Sequence, residues 1–187
     1  MSKLETNQVD PATGTTLTLG TSGDTIAIPS GVTIANSGTA TGFGGTNTPS
    51  FLVTISGTQS ISNATDTKIQ FNSEIYDTDN TFDSSTNYRF TPAVAGKYVL
   101  GTGLTLSSME ADEKVQLQIK KNGSRLAYDP IQRSFSTNSG GETISVENNL
   151  IAEANTTDYF EVWIYHTEGG SRDIGQYTYF HGYKLIT

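Results

Sequence analysis

Cysteine is absent from all 187 residues. A disulfide framework and thiolate metal centres are therefore excluded, and stability must come from core burial or association between chains. No run of 18 apolar residues occurs, so no helix is expected to cross a membrane. Basic charge is scarce: 11 Lys and Arg face 19 Asp and Glu, for a net charge of −8. The local group Lys114, Lys120, Lys121 and Arg125 is offset by Glu110, Asp112 and Glu113, so no nucleic-acid partner is expected. Those lysines read as a solvated strand edge. The opening MSKLETNQVD has no apolar stretch, so no secretory signal is expected.

What remains abundant is Thr, Ser, Asn and Gly, a composition of β-structure with many turns rather than of helix. It is unevenly spread. Residues 1–45 hold almost no aromatics, and TLTL, TIAI and VTIA recur between turns of Gly, Ser and Asp. Leu17 with Leu19, Ile26 with Ile28 and Val32 with Ile34 alternate with small or polar residues, as short strands do. A strand with two apolar side chains cannot bury its face alone. Three chains wound about one axis could do so as a β-prism; an intramolecular short β-solenoid is the competing arrangement. Residues 46–50 read as a linker, and 51–187 as the head.

The head is read as a succession of strands. FLVTIS (51–56) opens it, Lys97–Leu106 follows a Thr91-Pro92 corner, and KVQLQIKK (114–121) points Val115, Leu117 and Ile119 inward. Asn122-Gly123 signals a tight hairpin. Thr143–Glu153, Asp158–Tyr165 and Gln176–Ile186 complete the set. In the last, Tyr177, Tyr179, Tyr183 and Leu185 share one face, with Phe180 and Ile186 on the other; a strand apolar on both faces needs cover on both.

From Phe71 the aromatics fall at set intervals: Phe71, Asp77, Phe82, Phe90, Gly96, Tyr98. This spacing resembles the signature of the complement-C1q/tumour-necrosis-factor-like jelly roll. One extra residue between Phe82 and Phe90, and Leu100 in place of Phe, are tolerable departures. Ser139-Gly140-Gly141, the strand holding Trp163, and Phe180-His181-Gly182-Tyr183 resemble further elements of that family. The leader, with its Gly23–Ile26 and Pro29–Val32 elements, resembles the attachment segments of tail-fibre and other virion-fibre proteins of bacteriophages.

These resemblances imply an all-β, antiparallel jelly-roll sandwich behind a trimeric β-prism or short β-solenoid. They imply a homotrimer whose interface includes Tyr177, Tyr179, Phe180 and Tyr183. The loops Ser107–Glu113, Asp129–Gly140 and Glu168–Gly175 would then gather at the apex, offering Glu110, Asp112, Tyr128, Arg133, Arg172 and Asp173 to a receptor. Some family members bind calcium there, which makes Glu110, Asp112 and Glu113 candidate ligands and Ca2+ the one candidate cofactor. Asp77-x-Asp79-x-Thr81-x-Asp83 echoes half a calcium loop but lacks its central Gly and closing Glu.

No enzyme is expected. Histidine is limited to His166 and His181, and no Gly-x-Ser-x-Gly elbow or phosphate-binding loop is present; Gly140-Gly141 and Gly169-Gly170 read as turns. The expected role is a virion-surface fibre protein that is made without a signal peptide and is joined to other virion proteins through its leader. Its head would bind a host-surface glycan or protein, or decorate the particle. A secreted recognition or signalling ligand is the alternative; a glycan depolymerase is a third reading, which needs paired acids in a groove, and Glu161 and Glu168 give no spacing evidence for or against it.

Overall fold

The computed structural model describes residues 9–38, 47–110, 113–126, 133–135 and 141–185. The chain divides into two units, Met1–Phe43 and Gly44–Thr187.

In the first unit the expected strands are absent from the described residues. The chain is irregular between two turns, closed by Asp24 N–H to Thr21 O (3.0 Å) and Val32 N–H to Pro29 O (3.2 Å). The Asp24 carboxylate also accepts the Thr21 amide and hydroxyl. All six alternating apolar side chains are exposed, from 42% at Leu17 to 63% at Leu19. Among the described residues no solenoid within one chain is formed, for the reason the spacing gives: each rung has too little apolar surface to cover itself.

The second unit is built of strands. Its first half contains β1 (Ser50–Thr54), β2 (Gln59–Ile61), β3 (Thr67–Lys68), β4 (Ser73–Asp77), β5 (Phe82–Asp83), β6 (Arg89–Phe90) and β7 (Gly96–Met109). Then come β8 (Glu113–Lys121), β9 (Ser124–Arg125), β10 (Arg133–Phe135), β11 (Glu142–Ala154), β12 (Phe160–His166), β13 (Arg172–Ile174) and β14 (Tyr179–Lys184). One antiparallel sheet has the order β11-β7-β14-β1-β4. The other runs β10-β8-β12-β6-β5, with β3 added to β12 and β9 to β8, while β13 and β2 form a separate ribbon.

Alternation drives the two large sheets together. Phe51 and Val53 of β1, Tyr98, Leu100, Leu104 and Leu106 of β7, and Phe180 of β14 point inward from one side. Val115, Leu117 and Ile119 of β8 and Phe160, Val162 and Ile164 of β12 meet them from the other. The aromatics that carry the signature spacing make the centre of this core. Phe51 stacks on Phe90 at 4.5 Å, and Phe180 lies 5.0 to 6.1 Å from Phe51, Phe71 and Phe82. Phe180, expected at the interface between copies, is thus a fully buried core residue.

Gly182 shows why the last strand carries glycine beside its aromatics. A Cβ there would lie 2.6 Å from Leu100 Cδ2 and 2.8 Å from Phe51 Cε1. The expected calcium-like acids are used locally. Asp77 accepts the Phe82 amide (2.7 Å) and the Thr81 hydroxyl (3.1 Å), and Asp83 accepts the Thr86 and Asn87 amides. The Tyr98 hydroxyl donates to Val94 O, and burial, aided by the Asp79 charge, pushes its pKa up to about 12.

The Asn122-Gly123 hairpin forms with both residues at positive φ, the primed turn that matches strand twist. Asp158 ties it to the turn before β12. Its carboxylate accepts the Asn155 amide and the Asn122 side chain, each at 2.7 Å, and pairs with Lys121 at 2.8 Å. The Asn155 amide, then Lys121 and Asn122, hold its pKa at about 2 against an ordinary 3.8. A depressed carboxyl pKa stabilises the fold above the ordinary value, and the contribution is lost as pH falls through the folded value. Melting temperature is therefore expected to drop as pH falls from 4 toward 2, and Asp158→Asn is expected to flatten that slope.

Candidate functional site

The outer face of the five-stranded sheet is laid out in three rows of outward side chains. Nearest to where the chain enters at Ser50, the register aligns Ser50, Tyr183, Val99 and Ile151. The next row holds Leu52, His181, Gly101 and Asn149; the third holds Thr54, Tyr179, Gly103 and Glu147. Period-2 alternation places all of them on the side away from the core.

Two glycines of β7 let the rings lie flat. A Cβ at Gly101 would come within 2.4 Å of His181 Nε2, and one at Gly103 within 2.7 Å of the Tyr179 hydroxyl oxygen. The Tyr179 and His181 rings stack at 5.9 Å, and the Tyr179 hydroxyl donates to Glu147 Oε1 at 3.3 Å. Burial beside these neighbours lowers the His181 pKa, which favours the neutral ring, and raises that of Tyr179. The resulting face is flat, aromatic and largely uncharged. Tyr76 and Ile151 are exposed, and Tyr183 is 37% exposed.

Beyond Tyr179, at the end away from Ser50, the face dips into a depression of about 520 Å³ between Leu52, Thr54, Thr105, Ser145 and Tyr179. An adjoining depression of about 410 Å³ shares Thr105, Gln176 and Tyr177 with it and reaches Thr58, Thr143 and Asp173. Tyr177 stands at the rim, in a turn closed by Thr178 N–H to Gly175 O (2.8 Å). It precedes β14 rather than belonging to it.

The expected apical residues are only partly brought together. Arg172 pairs with Glu168 and donates to Ser108 O (3.1 Å), and the Glu110 amide donates to Glu168 Oε2 (3.2 Å) and Glu113 Oε2 (3.0 Å). So the segments around Ser108–Glu110 and Glu168–Arg172 do meet. Arg172 and Asp173, however, lie on β13, and Arg133 on β10, where loops were expected. Ribbons of three residues carry too little alternation to be read in advance. Asp112 and Tyr128 lie outside the described residues. Among the described residues no group of three acids or histidines could hold a metal ion, and Glu113 is engaged as a cap for the Glu110 amide.

The remaining candidates for chemistry have structural partners. Glu161 pairs with Lys68 at 2.8 Å and accepts the Trp163 indole N–H at 3.2 Å. Glu168 faces Arg172. His166 ends β12 fully buried, with Nε2 3.1 Å from Ile61 O and Nδ1 accepting the Glu168 amide.

Sheet order, core and face together define a jelly-roll sandwich of the complement-C1q type. The globular domain of zebrafish complement 1qA protein aligns with a TM-score of 0.50 at 20% identity, covering 74% of this chain and 97% of that domain. Eiger, a tumour-necrosis-factor protein from S. frugiperda, aligns at 15% identity with a TM-score of 0.48, covering 73% and 90%. No protein-family profile matches the chain. In sequence it is similar to YqcC, an uncharacterized protein of Bacillus subtilis (strain 168), at 28% identity over 121 residues. The match takes in 63% of this chain and 32% of that relative, so the chain spans about a third of its length.

Proposed function

We propose that the protein is a homotrimeric virion fibre-like adhesion protein, in which the jelly-roll head binds a host-surface glycan or protein and the leader joins the particle. One observation carries the reading: two separate stretches of apolar surface lack cover within the chain. The leader exposes six apolar side chains, and the head exposes the aromatic face built on Tyr179, His181 and Tyr183. On the head this surface is held in regular rows, which favours identical copies around one axis, because each row then meets its counterpart. No chemical step is assigned; the work is non-covalent, and three weak sites held together would bind a surface with avidity.

Light scattering tests this reading. The full chain is expected at three times its 20.0 kDa mass, and a chain beginning at residue 47 at three times its own smaller mass. Tyr183→Glu buries an unpaired charge in the contact and is expected to give monomer with unchanged far-ultraviolet circular dichroism. A monomeric wild type at micromolar concentration would sink the reading.

A secreted recognition or signalling ligand is the second reading, favoured by the fold shared with the zebrafish complement domain. A Gly/Ser/Thr leader in place of a collagen stalk weighs against it. Immunogold electron microscopy separates the two: label on virion tips supports the fibre, and label confined to cell-free medium supports the ligand.

A further inference from the structure

We propose that the depression beside Tyr177 that reaches Thr58, Thr143 and Asp173 is a binding site for a neutral sugar residue, with Tyr177 as its stacking platform. The inference rests on the reading of the head as an adhesion module and specifies the ligand's class. Tyr177 is 68% exposed, on a turn whose neighbours Ile174 and Thr178 are buried. A tyrosine held out in water on an anchored turn presents an apolar ring face that costs little to immobilise further. Sugar C–H groups pack on such a face.

The space beside the ring suits one or two sugar units. It measures about 410 Å³, within the range of small-molecule sites. Its polar lining is mostly neutral: hydroxyls of Thr58, Thr105 and Thr143 and the Gln176 amide, with the Asp173 carboxylate. Among the described residues none of these side chains is taken up by another group, so donors and acceptors remain for sugar hydroxyls. The site stands on paired strands, since Asp173 lies opposite Ser60 in the β13–β2 ribbon and Thr105 opposite Ser145 in the β7–β11 pair. Rigid placement lowers the ordering cost of binding.

Charge selects the sugar class. Asp173 lines the depression, and no lysine or arginine does. The adjacent Arg172 is engaged by Glu168 and Ser108 O. A sialic or uronic acid would bring a second negative charge without a partner, whereas a hexose or N-acetylhexosamine would not.

The test uses the full chain on an array of oligosaccharides ending in galactose, mannose or N-acetylglucosamine, beside sialylated counterparts, followed by calorimetric titration. Binding confined to neutral ends is expected. Tyr177→Ala is expected to weaken it roughly tenfold or more, the scale of losing one aromatic anchor, while the light-scattering mass stays unchanged. Asp173→Lys is expected to admit sialylated ends. Absence of binding to every neutral oligosaccharide at millimolar concentration overturns the proposal, as does binding that survives Tyr177→Ala. A change of mass in Tyr177→Ala overturns it too, because the ring then belongs to the contact between copies. Adhesion to cells stripped of surface glycans, with no array binding, leaves the adhesion reading standing and this site refuted; failure to adhere to any cell refutes both.

Discussion

Phe180→Ala is expected to destabilise the head by about 4 kcal/mol, the usual cost of emptying a buried phenylalanine site. Its ring is fully buried and touches three others, Phe51, Phe71 and Phe82, from both sheets. Those neighbours belong to different segments, Phe51 to β1, Phe82 to β5 and Phe71 to the connection between β3 and β4, and cannot all move inward, so most of the cavity would persist. Chemical denaturation by urea would read the loss as a lower midpoint at unchanged slope. The control is Tyr183→Ala, which differs by three positions on the same strand but faces outward. Its effect on the unfolding of the dissociated head should be within about 0.5 kcal/mol, the larger effect falling on association between copies. Equal losses for the two variants would contradict the assignment of faces along β14.

Gly182→Val is the second large effect. The extra atoms would enter a space already closed by Leu100 and Phe51 side chains and by Val99 O, 3.1 Å from the first added carbon. A side chain can turn aside, but a strand carbonyl that is part of the sheet cannot do so without breaking pairing. Overpacking of this kind costs about 3 kcal/mol or more, a large share of the stability of an ordinary domain. Thermal unfolding should show the loss, and Gly101→Ala makes the useful comparison. There the added carbon meets only the ends of Asn149 and His181, which can swing away from the outer face, so the fold should survive while association weakens.

How far the fold could be read in advance follows from the same residues. Phe71, Phe82, Phe90 and Tyr98 were legible because buried aromatics on short strands need fixed spacing to reach one core. Val115, Leu117 and Ile119 were legible from strict alternation, and Asn122-Gly123 because few dipeptides accept two positive φ angles. Ribbons such as β2 with β13 escaped, since three residues cannot establish a period. Asn148 also escaped: a polar residue facing inward on β11 breaks the pattern, yet its amide reaches Leu117 O at 3.0 Å and links the two sheets. Of the candidate site, the outward tyrosines of the last strand followed from alternation. The groove beside Tyr177 did not, because it arises where β7, β11 and the β13 ribbon converge, far apart in sequence.

Ser50 stands opposite Tyr183 in the pairing of the first and last strands, so the head's chain enters and leaves side by side, about 5 Å apart as antiparallel partners are. Such a domain behaves as a cassette. It can be spliced into a surface loop of another protein, or exchanged for a different domain behind the same leader, with only a strand's width to bridge. A change of this one module then leaves the rest of the chain as it was.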